Sequence, residues 1–414
     1  MLKQAVILCG GKGTRLGPLT QQHPKPLLEV SGKPFLSHLI QEVARYGFTD
    51  IILLAGYLGE QIREEYDGQF LGDTGAKITV LIEPTPRGTG GALRFALNQL
   101  ADEFILMNGD SWIDANLRQF VHQWAQTQDQ KADAQILLTH VSDASRYGQV
   151  EVTDGRIHTF KEKTPGAEVS GHINSGVYVL KKSLFSQLPD GANISIERDI
   201  FPALAARGRL RGVDTAPGAY FIDIGLPETY GRSQDELREN RRRPAVFFDR
   251  DGTLNHDEGY THKPEDLRWI DGAREAIQYA NTLGYFVFVV SNQAGIARGL
   301  YTQSDVWAFH GAMQSDLAQI GAHIDAIQWC PHHPDGVVEP LNQKCACRKP
   351  APGMIHQLAE NWPLDLSRSL MIGDRSWDVE AGLAAGIRSI RYQGGSLLAT
   401  LMTGLKSTAN GHKS

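Results

Sequence analysis

A glycine-rich segment near the start of the chain has the composition of a phosphate-binding loop. The apolar run from Ala5 to Cys9 leads directly into Gly10-Gly11-Lys12-Gly13-Thr14-Arg15-Leu16. Glycines let a backbone approach a polyphosphate closely, and successive backbone N–H groups can bind its oxygens. Arg15 adds a guanidinium that can donate two hydrogen bonds to one phosphate. The segment lacks the Gly-Lys-Ser/Thr ending of a Walker A loop, and a plain tight turn is the alternative interpretation.

A lysine between two prolines strengthens the phosphate interpretation. In Pro24-Lys25-Pro26-Leu27-Leu28 the prolines restrict the backbone, so the Lys25 ammonium can be held at a fixed point. Such an ammonium can neutralise charge that develops on phosphates during an in-line displacement. The combination of Gly-x-Gly-Thr-Arg-Leu with Pro-Lys-Pro resembles the sugar-1-phosphate nucleotidyltransferases, over roughly residues 1–235.

This resemblance implies a nucleotide pocket and a sugar pocket. The implied reaction is attack of a sugar 1-phosphate on the α-phosphate of an NTP, with release of pyrophosphate. Lys25 and Arg15 would be catalytic, while Asp110 and Asp223 would hold Mg²⁺, which binds carboxylates and keeps some of its water ligands. The residues implied to bind nucleotide or sugar are Leu8, Gly10, Gly11, Gly13, Thr14, Glu83, Gly88, Thr89, Gly109, Glu162, Lys163 and Asn174.

A second group of acidic residues begins at Asp249. The run Val246-Phe247-Phe248 ends in Asp249-Arg250-Asp251-Gly252-Thr253, which resembles the signature of haloacid-dehalogenase-like phosphatases. The resemblance implies that Asp249 is a nucleophile forming an aspartyl-phosphate and that Asp251 is the general acid and base. Asp374 would complete a Mg²⁺ site with Asp249 and Asp251. The implied substrate-binding residues are Asp257, Tyr260, Ser291, Asn292, Gln293, Arg348, Lys349 and Arg375.

Three cysteines and a histidine lie close together in the second half of the chain. Cys330-Pro331-His332-His333 is followed by Cys345-Ala346-Cys347. Three thiolates (Cys330, Cys345 and Cys347) and one imidazole suit a tetrahedral structural Zn²⁺ site with no open coordination position. His332 is the preferred fourth ligand, and a cysteine cluster without metal is the alternative. Zinc would fix the loop and so aim the adjacent Arg348-Lys349 pair at the substrate.

The long connection between the two parts of this cysteine motif separates two groups of phosphatases. Histidinol-phosphate phosphatases carry a similar motif with a short connection, whereas here Gly336 to Lys344 makes it long. The long loop, Asp257-Glu258-Gly259-Tyr260 and Arg348-Lys349-Pro350 resemble the D-glycero-D-manno-heptose 1,7-bisphosphate phosphatases. Only about 40 residues separate Asp251 from Ser291, too few for a large cap domain, so we expect loops to shape the pocket.

Short β-branched runs alternate with helical patterns in both halves of the chain. This alternation predicts two α/β domains, each with a doubly wound, mostly parallel sheet covered on both faces. The expected strands are Ala5–Cys9, Ile51–Ala55, Ile78–Ile82, Phe104–Met107, Gln135–Val141, Ala245–Phe248, Phe286–Val290 and Ser369–Ile372. The expected helices are Phe35–Tyr46, Gly90–Leu100 and Leu117–Gln126. The expected domain organisation is a nucleotidyltransferase domain over 1–237, a solvated linker over 238–243, a phosphatase domain with the zinc loop over 244–395, and a frayed polar tail over 396–414.

Length and composition are those of a globular protein of two or three domains. The chain has 414 residues, 41% of them hydrophobic and 21% charged. A net charge of −6 offers no basic footprint for nucleic acid, and no apolar run approaches the roughly 20 residues of a membrane span. Clustered cysteines favour a reducing compartment, so we expect a cytoplasmic protein, with self-association into a homo-oligomer left open.

The two halves together suggest consecutive reactions on one sugar. A phosphatase acting at C7 of a heptose 1,7-bisphosphate leaves a heptose 1-phosphate, which is the type of acceptor a nucleotidyltransferase uses. We therefore expect a bifunctional enzyme of NDP-heptose synthesis that transfers GMP from GTP. One alternative pairs a histidinol-phosphate-type phosphatase with a hexose or aminosugar transferase. The other is a nucleotide-sugar sensor or scaffold without turnover, against which the presence of Lys25 and all the aspartates named above argues.

Overall fold

The computed structural model describes residues 2–72, 74–126, 131–141, 144, 149–161 and 170–410. The chain divides into two compact units. The first consists of Met1–Ala44 and Phe48–Asn240, and the second of Arg45–Gly47 and Arg241–Ser414. The division after Asn240 falls inside the expected 238–243 linker.

The first unit is built around a mixed ten-stranded sheet among the described residues, in the order β10-β11-β13-β9-β12-β7-β1-β4-β6-β5. Its strands, with two small two-stranded ribbons, are β1 Gln4–Cys9, β2 Glu29–Val30, β3 Lys33–Pro34, β4 Asp50–Ala55, β5 Phe70–Leu71, β6 Ala76–Ile82, β7 Glu103–Asn108, β8 Ser111–Ile113, β9 Ala134–Val141, β10 Gln149–Thr153, β11 Arg156–Lys161, β12 Gly171–Lys181, β13 Leu210–Asp214 and β14 Phe221–Asp223. Its helices are α1 Leu19–Gln22, α2 Phe35–Arg45, α3 Gly59–Tyr66, α4 Gly88–Phe95, α5 Leu117–Gln126, α6 Ser183–Ser186, α7 Phe201–Ala206 and α8 Pro227–Arg241.

The centre of this sheet is parallel, and one side of it is not. Strands β7, β1, β4 and β6 run parallel, as expected from their continuous apolar sequences. The eleven-residue β12 lies antiparallel between β7 and β9, so the sheet is less uniformly parallel than predicted. The parallel strands bring their carboxyl ends to one edge, where ligands of open α/β sheets bind.

The second unit contains a parallel five-stranded sheet, in the order β17-β16-β15-β18-β19. Its strands are β15 Ala245–Phe248, β16 Phe286–Asn292, β17 Ala326–Cys330, β18 Leu370–Gly373 and β19 Arg388–Arg391. Its helices are α9 Ala273–Thr282, α10 Ala294–Ala297, α11 Gln303–Leu317, α12 Gly353–Asn361, α13 Ser376–Ala384 and α14 Leu397–Asn410. All four residues of β15 are buried, which confirms the prediction of a parallel strand covered on both faces.

The prediction of a frayed tail is wrong for residues 397–410, and part of the predicted linker is helical. The stretch expected as a frayed tail forms α14, because Leu397, Leu401 and Leu405 recur at helical spacing and pack into the core of the second unit. The stretch expected as a solvated linker is helical as far as Arg241, since α8 runs through its first four residues. Both helices were missed in the sequence because polar side chains separate their apolar positions.

Candidate functional site

The glycine-rich segment forms a tight loop at the carboxyl end of β1. Gly13 has a positive φ of 62°, and a Cβ there would lie 2.9 Å from a Thr20 side-chain carbon and 3.3 Å from Cβ of Lys25. Only glycine fits this conformation and this approach. Residues Thr14–Leu16 then form a 3-10 turn. At Gly11 a Cβ would meet no atom within 4 Å, so the loop backbone is open to a ligand at that point.

Lys25 lies between the two aspartates predicted to hold Mg²⁺. Its Nζ is 2.7 Å from Asp110 Oδ2 and 3.7 Å from Asp223 Oδ1, and the lysine is buried. The aspartates meet because β14 pairs with β8: Asp223 lies opposite Ser111, and the N–H of Ile224 donates to the carbonyl of Asp110. The structure thus brings Lys25, Asp110 and Asp223 together.

Arg15 and Gly225 complete this group. A Cβ on Gly225 would lie 2.6 Å from Asp223 Oδ1, 2.8 Å from Lys25 Nζ and 3.2 Å from Arg15 Nη2. Burial raises the pKa of Asp223 and the charge of Asp110 raises it further, while Lys25 opposes both effects. Two carboxylates that are only partly buried and repel each other are a donor set that fits a hard divalent cation.

A cavity of about 400 Å³ adjoins these residues. It is large enough for a nucleotide-sized ligand. Of the residues predicted to bind nucleotide or sugar, it is lined by Leu8, Gly10, Gly11, Glu83, Gly88, Thr89 and Gly109. Lys25 and Asp110 also line it, together with Glu197, which the sequence did not single out.

Glu83 places a carboxylate at the floor of this cavity. A Cβ on Gly10 would lie 3.0 Å from Glu83 Oε1, and a Cβ on Gly56 would lie 3.1 Å from it, so the residue after each of the neighbouring strands β1 and β4 must be glycine to admit this carboxylate. Its Oε2 is buried and has no hydrogen-bond partner among the residues that the structure describes. Burial raises the pKa of Glu83, and the backbone N–H and charge of Arg87 partly oppose this. A buried acceptor without a partner is suited to a ligand that brings N–H groups.

The Gly88-Thr89-Gly90-Gly91 segment has a packing role in addition to the predicted contact with the nucleotide. A Cβ on Gly88 would lie 2.5 Å from the carbonyl oxygen of Ile194, and the N–H groups of Gly90 and Gly91 donate to that oxygen. The Thr89 hydroxyl donates to Glu197 Oε2 at 3.0 Å. The start of α4 is therefore fixed to a distant segment, for which the sequence carries no local signal.

The predicted sugar-contacting residues are only partly described. Glu162 and Lys163 lie outside the described residues. Asn174 donates to the Tyr178 hydroxyl at 2.8 Å and accepts from the N–H of Gly176 at 2.9 Å. Its amide therefore also supports the local geometry of β12.

Lys349 is the centre of the second site. Its Nζ lies 2.6 Å from Asp249 Oδ1, 2.7 Å from Asp378 Oδ1 and 2.6 Å from the carbonyl oxygen of Val290, and it is buried. Burial would lower the pKa of Lys349, but the two carboxylates outweigh it, and the pKa is raised. The ammonium is therefore charged and fixed against the predicted nucleophile.

Three aspartates converge around this lysine. Carboxylate oxygens of Asp249, Asp374 and Asp378 all lie within 4.8 Å of one another, because β15 and β18 are neighbours and the N–H of Asp249 donates to Ile372. Burial raises the pKa of Asp249 to about 7 against the opposing charge of Lys349. Asp374 Oδ1 is buried and unpartnered among the described residues, so the donor set fits a divalent cation. Asp378 was visible in the Gly-Asp-x-x-x-Asp pattern but was not predicted as a site residue.

The residues at the end of β16 hold the other parts of the site. Gln293 donates from Nε2 to Asp251 Oδ2 at 2.8 Å and to Ser291 Oγ at 2.7 Å. Asn292 exchanges two hydrogen bonds with the backbone of Lys349, at 3.0 and 3.1 Å. Asn292 thus positions Lys349, a function that its predicted role in substrate binding did not include.

The remaining predicted residues of the second unit differ in what they contact. Asp257 Oδ1 accepts hydrogen bonds from Gly259 and from the N–H and hydroxyl of Thr261, so it shapes its own loop. Tyr260, 41% exposed, lines a separate cavity of about 280 Å³. Arg375 pairs with Asp374 at 2.9 Å, whereas Arg348 donates to the carbonyl of His332.

The predicted zinc ligands form a cluster. Ligand atoms of Cys330, His332, Cys345 and Cys347 lie within 4.8 Å of one another, with Sγ–Sγ distances of 3.2 to 3.4 Å. These distances exceed a disulfide bond of about 2 Å and are near the roughly 3.8 Å edge of a tetrahedron of thiolates around zinc. Hydrogen bonding with the neighbouring thiols, first with Cys330, lowers the pKa of Cys347 to about 5. His333 points elsewhere, to Arg298, so His332 is the imidazole that fits the site.

Comparison with known proteins finds similarity to a different enzyme family in each half of the chain. The nucleotidyl transferase family matches residues 4–240, and the HAD-hydrolase-like family matches residues 346–408. A D-glycero-beta-D-manno-heptose-1,7-bisphosphate 7-phosphatase of Rhodopseudomonas palustris is 47% identical over 153 residues, which are 37% of this chain and 85% of the relative. A mannose-1-phosphate guanylyltransferase of Mycobacterium tuberculosis is 36% identical over 259 residues, which are 61% of this chain and 70% of the relative.

A crystal structure of HddC from Yersinia pseudotuberculosis complexed with GMP-PN is 33% identical, with a TM-score of 0.49, and covers 57% of this chain and 100% of that one. Within the described residues, no helix combines the length and apolar character needed to cross a membrane. The first family match covers more than half of the chain, and the phosphatase relative is matched over most of its length. The chain therefore belongs to the nucleotidyl transferase family through its first unit and to the HAD-hydrolase-like phosphatases through its second, and it is an enzyme with both activities.

Proposed function

We propose that this enzyme removes the 7-phosphate of D-glycero-D-manno-heptose 1,7-bisphosphate and transfers GMP from GTP to the resulting heptose 1-phosphate. The observation that carries the proposal is that one chain is similar in one part to a 7-phosphatase of that bisphosphate and in another part to a guanylyltransferase of a sugar 1-phosphate. The product of the first reaction is the acceptor of the second. Guanine is favoured by the similarity to a guanylyltransferase.

In the phosphatase reaction, a carboxylate oxygen of Asp249 attacks the phosphorus of the C7 phosphate while the bond from phosphorus to the sugar oxygen breaks. Asp251 gives its proton to that leaving oxygen. Asp251 then takes a proton from water, which attacks the aspartyl-phosphate and releases inorganic phosphate and the free carboxylate. Lys349, 2.6 Å from Asp249, would neutralise charge on the transferring phosphoryl group.

In the transferase reaction, a phosphate oxygen of the sugar 1-phosphate attacks the α-phosphorus of GTP, and pyrophosphate leaves. Lys25 and Arg15 neutralise charge on the phosphates, and the glycine loop fixes the position of the nucleotide. No acid or base is needed, since the attacking phosphate is already ionised. Positioning and charge neutralisation therefore supply the rate enhancement.

The proposed metals are Mg²⁺ in both active sites and Zn²⁺ in the cysteine cluster. Asp110 and Asp223 would hold the first Mg²⁺, and Asp249, Asp374 and the Asp251 carbonyl the second. When bound, these ions would neutralise phosphate charge and orient the reacting oxygens. Cys330, His332, Cys345 and Cys347 would hold Zn²⁺ in a structural role.

The proposal is tested by incubating the enzyme with Mg²⁺, each NTP in turn and the α or β anomer of the bisphosphate. Phosphate and pyrophosphate are assayed, and nucleotide sugars are identified by mass. We expect GDP-heptose, with phosphate released before pyrophosphate. The Asp249→Asn variant is expected to release no phosphate from the bisphosphate yet still to use heptose 1-phosphate. Release of phosphate by that variant would contradict the assignment of the second site.

A second candidate acceptor is mannose 1-phosphate, since the M. tuberculosis relative is a mannose-1-phosphate guanylyltransferase. The kcat/KM values of the first site for heptose 1-phosphate and mannose 1-phosphate would separate the two. A preference for mannose 1-phosphate would uncouple the two reactions and reject the bifunctional heptose pathway, while leaving the phosphatase assignment unchanged.

A further inference from the structure

Arg250, which lies between Asp249 and Asp251 in the sequence, has a completely buried side chain. Its Nε and Nη2 donate to the two carboxylate oxygens of Asp251, both at 2.9 Å. The same Nη2 donates at 2.7 Å to the backbone carbonyl of Thr261, and Nη1 lies 3.3 Å from His310 Nε2. The guanidinium also stacks over the Phe309 ring at 4.7 Å. Arg250 therefore connects Asp251 to the loop over residues 256–263, here termed the 256–263 loop.

His310 is suited to accept the hydrogen bond from Arg250. Burial lowers its pKa well below the usual value, and the charge of Arg250 lowers it further, so the ring is neutral and one ring nitrogen is an acceptor. With Asp251, Thr261 and His310 as partners, the guanidinium has contacts on all its sides. Its orientation, and that of the carboxylate it binds, is therefore fixed by the interior of the second unit.

A second route joins Asp251 to the same loop. Gln293 Nε2 donates to Asp251 Oδ2 at 2.8 Å, and the Tyr301 hydroxyl donates to Gln293 Oε1 at 2.7 Å. The Tyr301 ring stacks on the ring of His262, with centroids 4.6 Å apart and planes 19° from parallel. Thr261 and His262 are adjacent in the chain, so two independent chains of contacts link one short segment to one carboxylate.

The 256–263 loop borders the separate cavity that Tyr260 lines. It supplies most of the lining of the cavity of about 280 Å³, which also includes Arg268 and Asp266. A ligand that moves Thr261 or His262 would disturb the direct contacts of these residues with Arg250 and Tyr301.

We propose that Arg250, with the Tyr301–Gln293 pair, is a positioning element that couples the 256–263 loop to Asp251, so that this aspartate faces the leaving oxygen only when the loop holds the substrate. The inference rests on the proposed role of Asp251 as the proton donor. Arg250 does not touch the reacting atoms; it acts through Asp251. Arg250 therefore affects the specificity of the reaction as well as its rate, since the loop that it contacts holds the sugar.

The test compares substrates whose leaving groups differ in their need for a proton. Heptose 1,7-bisphosphate releases a poor, alkoxide-like leaving group, whereas p-nitrophenyl phosphate releases a stable phenolate. The value of kcat/KM reports on transfer to Asp249 and not on the shared second step. For Asp251→Asn we expect kcat/KM to fall by about 10²- to 10⁴-fold for the bisphosphate and by less than about 10-fold for the aryl ester.

Arg250→Met leaves a buried side chain of similar size and removes the hydrogen bonds that join Asp251 to Thr261. We expect kcat/KM to fall by at least about 30-fold for the bisphosphate and only a few-fold for p-nitrophenyl phosphate. Tyr301→Phe keeps the ring stack and loses one hydrogen bond, so we expect kcat/KM for the bisphosphate alone to fall by about 3- to 10-fold. This variant still tests the coupling if Arg250→Met does not fold. Arg388→Met is the matched control: it removes a guanidinium that donates to the carbonyl of Gly404, in a structural contact, and the substrate ratio should not change.

The outcomes separate the inference from the proposed function. If Asp251→Asn lowers kcat/KM equally for both substrates, the role of Asp251 as proton donor is rejected. A second outcome is that Asp251→Asn lowers kcat/KM mainly for the bisphosphate, whereas Arg250→Met and Tyr301→Phe change kcat/KM equally for both substrates or not at all. In that case the coupling is rejected and Arg250 has only a structural role. Selective loss in all three variants, with an unchanged ratio in Arg388→Met, supports the coupling.

Discussion

At the scale of single residues, both sites place one lysine among carboxylates. Lys25 contacts Asp110 and Asp223, and Lys349 contacts Asp249 and Asp378. In each case the ammonium offsets repulsion between acidic groups that phosphate chemistry requires close together. The two sites differ in burial: Lys349 and Asp249 are enclosed, whereas Asp110 and Asp223 are partly open to solvent.

Glu83 is expected to select the base of the nucleotide. Guanine offers two adjacent N–H donors to a carboxylate, whereas a glutamine at this position would present an NH₂ group to one of them. We expect Glu83→Gln to lower kcat/KM for GTP by about 10²-fold and to reduce the ratio of GTP to UTP, because donors would be left unpaired. The measurement is kcat/KM with each NTP. Glu64→Gln, on the exposed surface of α3, should leave both values unchanged; an unaltered GTP preference in Glu83→Gln would reject the assignment.

Gly225 is expected to tolerate no side chain. Its added Cβ would be 2.6 Å from Asp223 Oδ1 and 2.8 Å from Lys25 Nζ, so Gly225→Ala must displace one of these charged groups. We expect a loss of transferase kcat/KM of about 10²-fold or more with unchanged phosphatase activity. Gly231→Ala is the control, because a Cβ there meets nothing within 4 Å and alanine favours the helix. Full transferase activity in Gly225→Ala would show that the aspartates are not held as described.

At the scale of elements, the zinc cluster joins the end of β17 to the segment that carries Lys349. Cys330 is the last residue of β17, and it pairs in register with Asn292 of β16. Asn292 in turn binds the backbone of Lys349. With zinc bound to the cluster, the metal and the Asn292 amide would hold the segment that carries Lys349 from two sides.

Disrupting the cluster is expected to lower phosphatase activity without affecting the other site. Cys345→Ser removes one thiolate, so the bound zinc measured by elemental analysis should fall well below one ion per chain, and phosphatase kcat should fall by about 10- to 100-fold. Transferase activity, measured on the same preparation, should be unchanged. His333→Ala is the control, because His333 lies outside the cluster. Zinc retained at one ion per chain in Cys345→Ser would contradict the ligand assignment.

Much of this arrangement could be predicted from short patterns, and the failures have physical causes. Asp249 and Asp374 were predicted from the resemblance to haloacid-dehalogenase-like phosphatases, and they can converge because parallel strands end at a common edge. Thr89 lies in a predicted binding segment, but its partner Glu197 is far away in sequence and lies in no recognisable pattern, so their contact could not be foreseen. The antiparallel insertion of β12 is likewise set by pairing with distant strands and not by its own composition.

At the scale of the whole molecule, each unit has its own core and its own site. The core of the second unit includes Leu397 and Leu401 of α14, both fully buried beside residues of α9 and of the sheet. The C-terminal helix thus belongs to the phosphatase fold. Its sequence seemed to be a tail because serines, threonines and glycines separate its leucines.

Leu401 is expected to contribute strongly to the stability of the second unit. Leu401→Ala removes a fully buried side chain and should lower the free energy of unfolding by about 2–5 kcal/mol. The loss is measured by chemical denaturation followed through phosphatase activity. Lys406→Ala, on the exposed side of α14, should change it by less than about 0.5 kcal/mol. Equal stability of the two variants would mean that α14 is not part of the core.

The distance along the chain between Asp249 and Lys349 has a consequence for biosynthesis. The two residues are 100 positions apart, so during translation the nucleophile emerges long before the ammonium that neutralises it. A nascent or prematurely terminated chain ending before the cysteine loop carries a complete set of transferase residues but lacks Lys349, Asp374 and Asp378 of the phosphatase site. Shortened translation products would therefore consume NTP and sugar 1-phosphate without being able to generate that acceptor themselves.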